Sequence, residues 1–288
     1  MLGNDYFHVY LIRGSLKCAL VETGVSATAD IVIQQLSALN VRPDFIVVTH
    51  PHSDHLTGLD YLRRFLPGAV VVAGKGAEEF AAHPKAALSM IMEDRHVRDE
   101  LAVRGIKSRT DKMVSPPSLS GCRVACDEEE LDLGGLTVVF QEALGHSPGN
   151  ILVQIRETNT LLVSDSLGNH YPGRGFFPTF FTGFHDYMAT IDRLEKRHPQ
   201  KMGLAHNGFF ETIEAIDEIF RHARQAAIDV RNHIIQSDGT DEDIAEELFT
   251  FYYTDELAVY SPQNIRNCCR LLVRRIRESD AVPPSVPR

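Results

Sequence analysis

VVTHPHSDHLTG, residues 47–58, places His50, His52, Asp54 and His55 within six positions. The run that leads into it, FIVVTH (Phe45–His50), is short and apolar, the kind of run a buried strand gives. Four strong ligand types in so short a stretch are not spent as core residues. Imidazole nitrogens and a carboxylate oxygen suit zinc, iron or manganese. A turn leaving a strand end also lets alternate residues point at one cation while the next pair points at another.

Working outward, three later segments repeat the logic. EALGHSPGN sets His146 between Gly145 and a Ser147-Pro148-Gly149 turn, directly after a strand-like run. LLVSDSLG ends another such run with Asp165, and MGLAHNGFF carries His206 between an apolar approach and a turn. That makes five His and two Asp, each on a loop at the edge of a predicted sheet. Such a set is what two neighbouring cations need when open positions or a bridging water complete their shells.

The rest of the chain fits around this. YFHVYLIRGSLKCALV (Tyr6–Val21) alternates and breaks at Arg13-Gly14-Ser15, as a hairpin does. Helical spacing covers Ala29–Asn40, a short helix is expected over Leu56–Phe65, and AVVVAG (Ala69–Gly74) reads as a second strand. Ala77–Val103 is helical in composition with a break at His83-Pro84. Within it Leu88, Met90 and Met92 suit core packing more than a pocket mouth. Asp111–Gly121 is a loop, and LTVVFQEAL, NILVQIRE and TLLVSDS are strands. Asp186–His198 is a helix with Asp186 expected as its N-cap.

From Thr212 onward the character is helical. Ile213, Ile216, Phe220, Ala223, Ala227, Val230 and Ile234 recur every three or four residues. A second helix opens at Thr240 or Asp241, and a third at Ser261 with Pro262 in its first turn. AVPPSVPR at the end is expected to fray. The expected division is a body over residues 1–210 and a helical cap over 211–288 packed on it.

With 43% hydrophobic residues in a chain of 288, disorder and fibrous folds are excluded. The net charge of -10 gives no general reason to hold a polyanion, so no nucleic-acid partner is expected. Cys18, Cys122, Cys126, Cys268 and Cys269 form no CxxC, which suits a reducing compartment. No stretch approaches the roughly eighteen apolar residues of a membrane span, and MLGNDYFHVYLIRG is not a leader pattern. A cytoplasmic protein without a membrane partner is expected.

The motif HxHxDH, followed by a lone His, a lone Asp and a final His, resembles that of the metallo-beta-lactamase superfamily over roughly residues 6–210. The resemblance implies an α/β fold, the αββα sandwich of two mixed sheets, here with a C-terminal helical extension. It implies two divalent transition metal ions, Zn or Fe and conceivably Mn. His50, His52 and His146 resemble the ligands of the first, and Asp54, His55 and His206 those of the second, with Asp165 bridging. It further implies hydrolysis through a metal-bound hydroxide, which Asp54 is placed to orient as the catalytic carboxylate.

The commonest two-metal beta-lactamases carry a Cys ligand between the third His and the last, where this chain has Asp165. RNA-processing members carry additional segments after the bridging Asp, for which the roughly forty residues before His206 leave no room. The helical extension is similar to the caps of glyoxalase II and of the thioesterase acting on aminobenzoylacetyl-CoA in alkylquinolone biosynthesis. The resulting expectation is a thioesterase taking an acyl-CoA or acyl-carrier thioester as small-molecule substrate. The alternatives are a lactonase or phosphodiesterase of the same fold, or a regulatory protein acting through its helical tail. Phe176, Phe177, Phe180, Tyr171, His170 and His185, just beyond Asp165, are the expected pocket residues. A homodimer through the tail stays open, although an apolar stripe on a helix is more often buried within its own chain.

Overall fold

The computed structural model describes residues 1–107 and 109–281. In chain order the elements begin with β1 (Leu2–Gly3), β2 (His8–Arg13), β3 (Cys18–Val21), α1 (Ala29–Ala38), β4 (Phe45–Val48) and α2 (Ser53–Leu56). Next come α3 (Leu59–Phe65), β5 (Val70–Gly74), α4 (Ala77–Ala82), α5 (Pro84–Val103), β6 (Arg123–Ala125) and β7 (Glu130–Asp132). The middle continues with β8 (Thr137–Glu142), β9 (Ile151–Ile155), β10 (Thr160–Ser164), β11 (Asn169–Tyr171), β12 (Gly175–Phe177) and α6 (Phe184–Glu195). β13 (Lys201–Leu204), β14 (Phe209–Phe210), α7 (Ile213–Gln236), α8 (Asp241–Tyr252) and α9 (Pro262–Ala281) complete it.

Two six-stranded sheets form, ordered β1-β2-β3-β4-β5-β6 and β14-β13-β10-β9-β8-β7, and β11 pairs with β12 apart from them. Both large sheets are mixed. β3 to β6 run parallel beside an antiparallel β1-β2-β3 edge, and β10 pairs parallel with β13 in a sheet otherwise antiparallel. The alternation of side chains along a strand decides the layers. Phe45 and Val47 point between the sheets, where they meet Tyr10, Val21, Phe140, Ile151 and Val153. Ile46 and Val48 point the other way, onto Val32, Leu36, Leu59, Leu62 and Met90 of the helices. The outer face of the second sheet, with Leu152, Leu161, Val163 and Met202, is covered by α6 and the tail helices. This is the αββα arrangement with a helical C-terminal extension that the motif implied.

The tail buries its stripe from Ile216 onward, while Ile213, expected to open the stripe, is corrected: it lies in the exposed first turn of α7. Ile216, Phe220, Ala223, Ala227, Val230 and Ile234 join one cluster with Val97 and Leu101 of α5 and with Phe180 and Tyr187. α5 ties the tail to the body with two neighbouring carboxylates that face opposite ways. Glu93 accepts from the backbone N–H of Ser261 at 2.8 Å and from its Oγ at 2.5 Å. Asp94 accepts from Ser26 N and Oγ at 3.0 and 2.6 Å and from Thr57 Oγ1 at 2.5 Å. Buried carboxylates are stable only when hydrogen-bonded in this way.

Of the alternatives Thr240 and Asp241, Thr240 is the cap and forms a capping box with Asp243, and α7 is capped by Thr212, whose side chain accepts from Ala215 N. Asp186 is corrected: the N-cap of α6 is Gly183, three residues earlier, and Asp186 lies in the first turn. The cause is tertiary. Gly145 O accepts from the N–H groups of Thr182 and Gly183, and Phe184 is drawn into the core as the first helical residue. Leu88 and Met92 are also corrected, since both are exposed, while Met90 is buried. The fraying expected of AVPPSVPR concerns residues 282–288, outside the described residues apart from Ala281.

Gly145 fixes how α6 meets the loop that carries His146. Its φ is +102°, and a Cβ there would stand 2.3 Å from Tyr187 N. Gly145→Ala therefore combines a left-handed backbone with a backbone clash, and should cost about 3 kcal/mol or more of stability. Urea unfolding followed by circular dichroism checks this, and an unchanged midpoint would contradict it.

Candidate metal centre

The cluster forms where the two sheets touch at their loop-bearing edges. Ile151 N donates to Thr49 O at 2.8 Å and His8 N to Ala205 O at 2.9 Å, so the segments bearing His50 and His206 are tied to the opposing sheet by backbone bonds. His50, His52, Asp54 and His55 arrive from the end of β4 and the single turn of α2. Asp165 follows β10, where the pairing register with β13 shifts between Leu162 and Ser164. Ser164 itself sits at φ +47°.

The residues fall into two sets. His50, His52 and His146 form one, and Asp54, His55, Asp165 and His206 the other, with the ligand atoms of each lying within 4.8 Å of one another. In the first, His50 Nε2 is 3.1 Å from both His52 Nδ1 and His146 Nε2. Tetrahedral bonds of 2.0–2.1 Å place ligand nitrogens roughly 3.3 Å apart, so this spacing suits one small cation. In the second, His206 Nε2 lies 3.4 Å from Asp54 Oδ2 and from Asp165 Oδ1, and His55 Nε2 lies 3.4 Å from Asp54 Oδ2 and from Asp165 Oδ2.

The far side of each ring decides which nitrogen faces the cluster. His146 Nδ1 donates to Thr179 O at 2.9 Å and His206 Nδ1 to Tyr6 O at 2.6 Å, leaving both Nε2 lone pairs turned inward. Thr49 and Ser164 give their hydroxyl protons to Glu22 Oε1, both at 2.7 Å. Their oxygens therefore face His50 Nδ1, at 3.1 and 3.4 Å, as acceptors. Glu22 Oε2 stands 3.0 Å from His55 Nδ1 as a charge contact without hydrogen-bond alignment. Glu22 is the residue that sequence reading missed. It is 2% exposed and held at φ +75°, a conformation that costs a non-glycine residue on the order of 1 kcal/mol or more. Its sequence signal was no more than a Glu directly after a strand.

The donor set passes a test of fit to a cation. His55 Nε2, His206 Nε2 and Asp165 Oδ1 are buried with no hydrogen-bond partner among the described residues, and buried polar atoms in that state are rare. Burial pushes His50, His52 and His146 below the usual imidazole range, His52 to about 3, so that set offers neutral lone pairs at neutral pH. In the second set burial works against charge. The surrounding carboxylates outweigh it, raising His55 well above its ordinary value and His206 to about 10. Burial alone would raise Asp54 and Asp165, but His55 and His206 hold both well below the carboxylate range. Without a cation the second set is thus a cluster of opposite charges in close contact. The whole arrangement fits a divalent metal site.

In front of the cluster lies a cavity of about 420 Å³. His52, Asp54, His146 and Asp165 form its floor. Phe80, Met90, Phe177 and Phe181 line one side, and Tyr260, Asn264, Ile265, Cys268, Leu271 and Arg275 of the tail line another. Of the six expected pocket residues, Phe177 lines this cavity. Phe176, its neighbour on β12, points to the opposite face and meets the His170 ring at 5.0 Å. Phe180 is buried against Phe184 and Tyr187. His170 and Asn207 exchange hydrogen bonds at 3.0 Å, a brace for the loop after His206. Tyr171 is buried beside a void of about 10 Å³, and His185 is exposed on α6. Phe181 takes the place assigned to Phe180, its ring 5.5 Å from that of His146 and 6.3 Å from that of His52.

Comparison with known proteins agrees with this geometry. The profile of the metallo-beta-lactamase superfamily matches residues 4–206. "Glyoxylase B2" of Dictyostelium discoideum is 26% identical over 161 residues, 52% of this chain and 48% of that protein, so the chain spans about half the length of that relative. "Beta-lactamase-like protein 2 homolog" of Caenorhabditis elegans is 20% identical over 96% of this chain and 80% of its own length. Among solved structures, an archaeal metallo-beta-lactamase superfamily protein from Sulfolobus tokodaii shares the fold. Its TM-score is 0.61 at 20% identity, with 95% of this chain and 93% of that chain covered. No helix among the described residues is long and apolar enough to cross a membrane.

Because ligands must lose their protons to bind a cation, the two sets should load differently. At pH 7 the raised His55 and His206 carry protons that a cation displaces, whereas the trio His50, His52 and His146 carries none. Zinc uptake by the metal-free chain should therefore release about two protons at pH 7. The affinity of the second set should rise with pH until the raised His55 and His206 have lost their protons, His206 doing so around pH 10. Calorimetry in buffers of different ionisation enthalpy measures the release, and uptake with no proton release would contradict the assignment.

Proposed function

We propose that this chain, which belongs to the metallo-beta-lactamase superfamily, is a two-metal hydrolase of small thioesters with an apolar acyl group. The observation that carries the reading is the cavity. Its floor is the cluster, and two of its sides are apolar walls, one of them supplied by α9. A slot with apolar walls and a few convergent polar groups suits an acyl chain delivered to a hydrolytic centre, whereas an open groove would suit a polymer.

His50, His52 and His146 would hold one cation and Asp54, His55 and His206 the other, with Asp165 between them. Bound there, the cations would supply Lewis acidity and lower the pKa of a shared water. The chain's own groups do the rest. Asp54 Oδ2 is occupied by a hydrogen bond from Tyr260, which leaves Oδ1 to accept a proton from the attacking water and aim it at the thioester carbon. Phe177 and Phe181 line one side of the slot and Ile265 and Leu271 of α9 another, and together they would exclude bulk water from the acyl chain. Arg275 is fixed in the lining by its bonds to Phe181 O at 2.7 Å and Glu278 Oε2 at 2.5 Å, and marks the end of the slot that suits an anionic leaving group such as CoA.

The presence of one guanidinium, and no lysine, in the cavity lining among the described residues supports a thioester over a phosphodiester. Iron, zinc and manganese all suit mixed His and carboxylate donors, and zinc or iron is the proposed occupant.

The test is turnover of an acyl-CoA series beside homoserine lactones and phosphodiesters by the metal-loaded chain. Thioesters should give the highest kcat/KM, and a preference for either other class would overturn the reading. Leu271→Trp, which fills the slot from the α9 side, should lower kcat/KM for long acyl chains at least tenfold relative to short ones, about 1.4 kcal/mol of transition-state binding. An unchanged chain-length profile would remove α9 from the substrate site.

A further inference from the structure

The tail brings one protic group onto the cluster itself. Tyr260 lies just before α9, is 7% exposed, and donates from Oη to Asp54 Oδ2 at 2.7 Å. That oxygen is the one standing 3.4 Å from both His55 Nε2 and His206 Nε2. The phenol is held from several directions. Its backbone carbonyl accepts from Tyr253 Oη at 3.0 Å, and the next residue, Ser261, is clamped by Glu93. Its ring meets Phe7 and His206 edge-on, at 6.3 and 6.4 Å. A side chain serving only to anchor the tail would bury a ring, and Phe would do that as well. The hydroxyl buried against a ligand carboxylate has no anchoring task.

We propose that Tyr260 is a positioning residue whose hydroxyl fixes the orientation of Asp54, so that the set Asp54, His55, Asp165 and His206 takes its cation tightly only when the tail is docked. The inference rests on the metal reading given above and adds to it that the helical extension completes the metal centre as well as walling the substrate slot. Hydrogen-bond partners behind a ligand commonly contribute ten- to a hundredfold in metal affinity, because they restrict the ligand to its binding rotamer.

Cobalt(II) titration of the full metal-free chain, followed by visible absorption and by competition with a chelator, tests it. The wild-type chain should show two classes of bound cobalt. Tyr260→Phe should weaken one class about ten- to a hundredfold and shift its absorption band, leaving the other class and the hydrogen-exchange protection of α9 unchanged. Tyr253→Phe, which removes the bond to the Tyr260 carbonyl without touching Asp54, should leave both classes as in wild type. Cobalt affinities and spectra of Tyr260→Phe identical to wild type would overturn the proposal. Equal weakening by both variants, or weakening accompanied by loss of α9 protection, would reduce Tyr260 to a tail anchor and likewise overturn it. A wild-type chain that binds no cobalt would overturn the metal reading and this inference together, whereas wild-type binding with an unaltered Tyr260→Phe overturns the inference alone.

Discussion

Seven converging His and Asp side chains, six of them buried, form an arrangement that a folded chain does not hold for its own sake. Imidazole nitrogens 3.1 Å apart with lone pairs facing, and carboxylates beside them, give little net attraction and lose their hydration. The structure is organised around keeping these groups in place. The two sheets are joined by backbone bonds on either side of the cluster, through Thr49 and Ala205. Glu22 and Ser164 accept left-handed backbone conformations beside it. A divalent cation is the chemical species that turns such crowding into stabilisation, and the family to which the chain belongs is built on that chemistry.

The cost is spread over a second layer of residues. Glu22 sits behind two of the cluster residues at once, taking hydroxyl protons from Thr49 and Ser164 so that both oxygens can face His50, and standing beside His55. Thr179 and Tyr6 lend backbone carbonyls to His146 and His206. The rings of His50, His146 and His206 are thereby aimed before any cation arrives, which lowers the cost of ordering them on binding. Tyr260 differs from these in coming from the tail, which ties an element remote in sequence to the centre of the site.

The same economy appears in α5. Its adjacent Glu93 and Asp94 look in opposite directions, one to the start of α9 and one to the turns at Ser26 and Thr57 near the cluster. Because both are buried and fully engaged, the helix cannot shift with respect to either side without leaving a carboxylate unpaired. The cavity walls from α5 and α9 are thus fixed to each other and to the metal centre, and the slot between them has a defined width.

Most of the fold and the members of the cluster were legible in the sequence because they are written locally. Buried strands show as short apolar runs, tail helices as a three-to-four-residue stripe, and HxHxDH as ligands on one turn whose later partners each follow a strand. What needed the tertiary structure was whatever depends on which face a residue turns to and on what lies across from it. Phe176 and Phe177 differ by one position and therefore point to opposite sides of β12. Phe180 and Phe181 separate likewise, so composition could place aromatic residues near the metal centre but not choose among them. Glu22 is an ordinary acidic residue until the hairpin brings it behind His55. Tyr260 stands 206 positions from Asp54 and acquires its hydrogen bond only once Glu93 has drawn Ser261 down onto the body, a contact whose geometry no local pattern encodes.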